Sequence, residues 1–168
     1  TDNIVKKKTA CGVIINKKEK IDADVVVFAP GRDGSIILEG IMEKHHIPMH
    51  NTQVDIGVRV ETSNLVMDDI NRCLYEGKLV LQTSVGTQVR TFCSNPAGHV
   101  VVENDHNVIL ANGHAFHDPK LGSDNTNFAL LVSTVFSEPF KEPNEFAHSI
   151  SSLANKLSCG TVIVQKYG

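Results

Sequence analysis

At 168 residues, with 41% hydrophobic and 21% charged side chains, the chain can bury a core and make one domain with a piece of a second. Its net charge of −3 is uneven: residues 1–20 hold six lysines against Asp2 and Glu19, a local +4 that fits a solvated hairpin face, and the remainder carries −7. An acidic body without tryptophan or an RRM, zinc-finger or helix-turn-helix signature excludes nucleic acid, no apolar run approaches a membrane span, and four cysteines without a CxxC pair point to a reducing cytoplasm.

In chain order, Thr9 to Ile15 predicts a strand, Asn16 to Glu19 a polar turn, and Lys20 to Phe28 a returning strand that ends in the apolar run VVVF. Such a run describes a strand covered on both faces, which needs neighbours that the 24 preceding residues are too few to supply. Both ends of the chain therefore read as cut. Ser35 or Asp33 is expected to cap a helix with Ile37, Leu38, Ile41 and Met42 on one face, ended by Ile47-Pro48. Next, VDIGVRVE alternates as a half-buried strand.

A short helix is expected over Leu65 to Leu74, followed by antiparallel hairpins: LVLQTSV and QVRTFC around Gly86-Thr87, then VVVEN and NVILANGH around Asp105-His106. Propensity alone does not decide NFALLVSTVF between strand and helix, and strand is the expectation. A helix from Pro143 to Leu157 is signalled by its first-turn proline and by Gly160 beyond its end, with TVIVQ as one more strand. The predicted class is α+β with a barrel- or sandwich-like antiparallel sheet.

The turn APGRDG carries Gly31 and Gly34, but Ala29 stands two positions before Gly31, so no GxGxxG fingerprint is completed, and no Walker loop or GxSxG elbow is present. His114 and His117 in NGHAFHD, with His106 on the preceding turn, invite a metal reading. A strand end entering a loop is a poor place for imidazoles three apart to share an ion, and local hydrogen bonding or a pocket-facing role is preferred, with no metal expected. His45 and His46 suit the negative end of a helix dipole. Cys93 is a candidate thiolate nucleophile beside Arg90 or His99, although a buried strand cysteine is the commoner case. Helix caps and first turns account for Asp68, Asp69, Glu142 and Glu145.

Taken in order, DADVVVFAPGRDGS, VDIGVRVE, VRTFCSNPAGHVVVEN, NGHAFHD, NTNFALLVS, EPFKEP and VIVQKYG resemble the uncharacterised FAD-dependent dehydrogenases, over nearly the whole chain. The resemblance implies a middle domain, residues 35–168, inserted into a Rossmann-type FAD domain whose first half leaves its tail, a hairpin and a strand, in residues 1–34. VVVFAPG is similar to the late FAD-domain strand that usually ends Ala-Thr-Gly or Ala-Val-Gly, here with Pro30 in the middle position. The dinucleotide fingerprint would then lie upstream and a second flavin-contacting segment downstream.

By the same resemblance, Ala29 and Gly31 are the residues nearest FAD in the parent protein. Arg90, His114 and His117 are the expected catalytic side chains, and Asn95 and Asn112 are expected to face the substrate. The implied partners are a small-molecule substrate and the rest of the FAD domain, with NAD(P)H as a candidate electron donor and self-association through the uncovered strand. Two other classes remain open on the residues alone: a non-enzymatic binding module using NGHAFHD, and a metal-dependent enzyme using His106, His114 and His117.

Overall fold

The computed structural model describes residues 2–6, 9–31, 34–136 and 142–167. Two compact units divide the chain, Thr1–His50 and Asn51–Gly168. Together their described residues are mixed α+β, with three α-helices and nine strands in antiparallel sheets.

In the first unit, β1 (Asp2–Lys6), β2 (Thr9–Ile15) and β3 (Glu19–Asp22) form a three-stranded sheet with β2 at its centre. Asn16 and Lys17 hold φ of 52° and 58°, the two positive values that a tight hairpin turn needs to match the twist of its strands. The expected strand Lys20–Phe28 is cut short at Asp22. Residues 25–28 belong to no strand and have no ladder partner, and Val27 is 81% exposed. Both edges of β2 are already taken by β1 and β3, so apolar composition alone does not make this run a strand.

Helix α1 (Ser35–Lys44) spans the predicted residues, but its N-cap is Gly34, with no side-chain cap bond. Ser35 is therefore the first helical residue rather than the cap, and Asp33 lies outside the described residues. Leu38, Ile41 and Met42 are half-buried while Ile37 is exposed.

The second unit is built on a four-stranded sheet in the order β4-β9-β6-β5, from β4 (Val54–Ser63), β9 (Asn125–Thr134), β6 (Gln88–Asn95) and β5 (Val80–Gln82). β4 and β9 pair over ten positions, from Val54 opposite Thr134 to Ser63 opposite Asn125. The ambiguous segment NFALLVSTVF is thus an interior strand of the sheet, except at its last residues. The sheet does not close into a barrel, because β4 and β5 stay at opposite edges.

Pairing parity fixes the two faces. One face carries Val54, Ile56, Val60, Phe128, Leu130 and Val132. Helix α2 (Asn64–Cys73) packs against β4 and β9 and reaches this face through Asn71, whose Nδ2 donates to Thr126 Oγ1 at 3.0 Å. Ser63 caps that helix by accepting from Leu65 N.

The other face is mixed, with Asp55, Arg59, Arg90, Asn95, Asn127 and Ser133 beside Phe92, Leu131 and the buried Ala129. β7 (His99–Asp105) and β8 (Val108–His114) form a separate hairpin through His106 and Asn107, both at positive φ, and β8 packs against β4 and β6. Helix α3 (Pro143–Leu157), at its predicted limits, docks on β8. Asn155 makes that joint by accepting from Ile109 N at 2.6 Å and donating to Ile109 O at 2.8 Å, as a neighbouring strand would. The predicted strand TVIVQ beyond α3 is irregular and its Val164 exposed. Among the described residues no helix is long and apolar enough to cross a membrane.

Candidate functional site

The site begins with a defect in β6. Phe92 opposes Ala129 and Asn95 opposes Asn127, so β6 advances three residues while β9 advances two, and one extra residue is squeezed out of the ladder. Cys93 absorbs it at φ 50°, a left-handed conformation that costs a non-glycine residue about 1 kcal/mol. Leaving the ladder strands the Cys93 backbone groups, and side chains take them over. Its N–H donates to Glu76 Oε1 at 2.9 Å, while its carbonyl accepts from Arg59 Nη1 at 3.0 Å and from Asn95 Nδ2 at 2.8 Å.

Around this bulge four strands contribute one polar cluster. Arg59, from β4, also donates from Nη1 to Asn127 Oδ1 at 3.1 Å and from Nη2 to Asn112 Oδ1 at 3.1 Å. Asn95, from β6, donates to Asn127 Oδ1 at 3.3 Å. Asn112, from β8, passes the chain onward to Glu103 Oε1 at 2.8 Å. Gly113 makes the approach possible, because a Cβ there would stand 2.2 Å from Asn127 Oδ1, 2.4 Å from Asn95 Nδ2 and 2.5 Å from Arg59 Nη1.

The cluster is buried deeply enough for unmet hydrogen bonds to matter. Asn127 is 0% exposed, and its Nδ2 and Arg59 Nε are both buried without a partner among the described residues. A second network ties the neighbouring loops: Asn64 Oδ1 accepts from Ala97 N and from Thr126 Oγ1, and Asn64 Nδ2 donates to Ser123 O. These bonds fix the turn of SNPAGH beside the bulge.

Of the expected site residues, Asn95 and Asn112 are brought together here, although they come from separate strands. Arg90 sits elsewhere on the same face, paired with Asp55 and lying 5.1 Å from the Phe92 ring centre. Asp55 is also held by the Ser133 hydroxyl. Exposed His114, at the end of β8, is the register partner of His99, and the ring of Phe116 meets both imidazoles edge-on at 5.4 and 5.6 Å. His117 follows in the exposed loop. In the first unit, Ala29 and Gly31 are exposed, with Gly31 at φ 70° and nothing within 4 Å of where its Cβ would stand.

His106, His114 and His117 do not converge. His106 occupies the turn at one end of the β7–β8 hairpin, bonded to Asp105 Oδ1 at 2.8 Å, while His114 ends β8 at the other, roughly 20 Å away at strand spacing. Among the described residues no three His, Cys, Asp or Glu side chains gather as metal ligands.

Sequence reasoning missed Arg59 and Asn127. Strand alternation placed Arg59 on the polar face of β4, which reads as a solvent face until a hairpin packs on it. A signal was present in NTNFALLVS, where asparagine heads a strand otherwise made of core residues. No protein-family model matches the chain, and no curated protein is significantly similar to it.

Proposed function

We propose that the chain is the middle part of a cytoplasmic flavin-dependent oxidoreductase, an FAD dehydrogenase in which residues 51–168 present a polar substrate-side surface, and that the chain is flavin-free and inactive alone. The observation that carries this reading is that Asn112 accepts from the Arg59 guanidinium while Asn95 shares with that guanidinium the Cys93 and Asn127 oxygens as acceptors. Asn95 and Asn112 both belong to motifs that resemble those of the FAD-dependent dehydrogenases, and a cluster of fixed donors and acceptors is what orients a polar substrate. Four free thiols suit a reducing compartment.

The turn at Gly31 fits a flavin in one respect: positive φ and open space at the missing Cβ let a ligand approach the backbone closely. Ala29 and Gly31 would hold it, and the flavin when bound supplies the redox step. The chain's own residues bind and orient. Arg59 and the three asparagines fix a polar group, and Arg90, held by Asp55, offers a positioned cation. His114, at the end of β8, and His117, in the loop that follows, are both exposed and can exchange protons with a bound molecule.

The test is the visible spectrum of the full-length parent beside this chain incubated with FAD. A flavin spectrum from the parent and no binding by the chain is the expected result. A colourless parent that cannot be reconstituted overturns the reading. In an active parent, unchanged turnover after His114→Ala and His117→Ala would remove those two from the chemistry. The exposed Phe116, flanked by His99 and His114, favours a second reading as a binding module that recognises its ligand through NGHAFHD.

A further inference from the structure

We infer that the Arg59–Asn127 cluster is a binding site for a small carboxylate. The partners of the guanidinium are all neutral oxygens, those of Cys93, Asn112 and Asn127. The ion pairs seen among the described residues include Arg72–Asp68, Lys78–Glu76, Arg90–Asp55 and His106–Asp105, and none of these four involves Arg59. The Glu103 carboxylate stands one side chain away, with Asn112 between it and the arginine. A half-buried cation is thus surrounded by carbonyl dipoles, in a setting where its attraction for an anion exceeds that at an open surface.

Two unmet donors say what the anion must offer. Arg59 Nε and Asn127 Nδ2 both carry buried N–H groups without an acceptor among the described residues, and the two residues are joined by the Nη1 to Oδ1 bond. A buried donor left unsatisfied is costly, and an anion that brings acceptor oxygens to these N–H groups relieves that cost. A carboxylate has such oxygens and that charge, and the arginine fork matches it. The site stands on these donors alone and goes beyond the flavin reading. In a flavoenzyme it would restrict substrates to acids.

The experiment is a titration of the isotopically labelled chain with sodium acetate, following the Arg59 Nε–H and Asn127 side-chain amide signals by NMR, with acetamide as the neutral isostere. Saturable movement of both signals with acetate and none with acetamide is expected. Arg59→Lys, which keeps the charge and removes the Nε donor, and Asn127→Asp, which puts a carboxylate in place, should each weaken acetate by roughly tenfold or more. If neither variant folds, the comparison of acetate with acetamide still decides. Signals that stay still, move equally with acetamide, or show contact only with water overturn the inference.

Discussion

The guanidinium of Arg59 donates to the amide oxygen of the fully buried Asn127, although the register partner of Asn127 is Glu61. The arginine therefore reaches diagonally across β4 and β9 by one pleat repeat, a distance that long side chains can span. Asn127 Oδ1 becomes the acceptor shared by Arg59 and Asn95.

Removing that acceptor should be costly. Asn127→Ala leaves buried donors on two strands and is expected to destabilise the chain by about 2–3 kcal/mol. Asn127→Asp keeps the acceptor, faces Arg59 with a charge, and should lose less. Urea midpoints at constant slope measure both, and equal losses would contradict the shared-acceptor role.

Two glycines should answer alanine in opposite directions. Gly113→Ala drives a methyl into Asn127, Asn95 and Arg59 and is expected to cost about 1–3 kcal/mol. Gly40→Ala lies inside α1 with nothing within 4 Å of the new Cβ, and should gain about 0.5–1 kcal/mol in helix stability. Thermal unfolding of the two variants side by side is the check.

The bulge at Cys93 makes a further prediction. Glycine tolerates φ 50° without the Cβ penalty, so Cys93→Gly should be more stable than Cys93→Ala by about 1 kcal/mol, against the usual order in strands. Alanine as the more stable variant would show that the left-handed conformation is not held in solution.

Thr91 tests the joint between β6 and the segment before β5. Its hydroxyl accepts from Leu79 N at 2.8 Å and donates to Gly77 O at 2.9 Å, in a nearly buried position. Thr91→Val keeps the shape but removes both bonds, with an expected loss of about 1–3 kcal/mol, whereas Thr91→Ser should retain most of the stability. Denaturant melts distinguish the two.

Local patterns made much of this architecture legible. Helix α3 follows from a first-turn proline and a glycine beyond its end, and β4 from strict alternation, because both signals are written in consecutive residues. Failures occurred where an element depends on a neighbour. VVVF and TVIVQ have the composition of strands, but a strand exists only where another supplies its ladder. At the site, Asn95 and Asn112 were recognisable within motifs. Arg59 and Asn127 were not, since their meeting depends on a bulge at a cysteine, a residue that announces no positive φ.

Asn155 gives α3 a role in the dynamics of the hairpin. With both Ile109 backbone groups bonded to one helix side chain, β8 has no free edge at that residue, and the amide of Ile109 is released to solvent only when the helix lifts away. The exchange rate of a single strand amide thereby reports whether a helix 46 residues later in the sequence is docked.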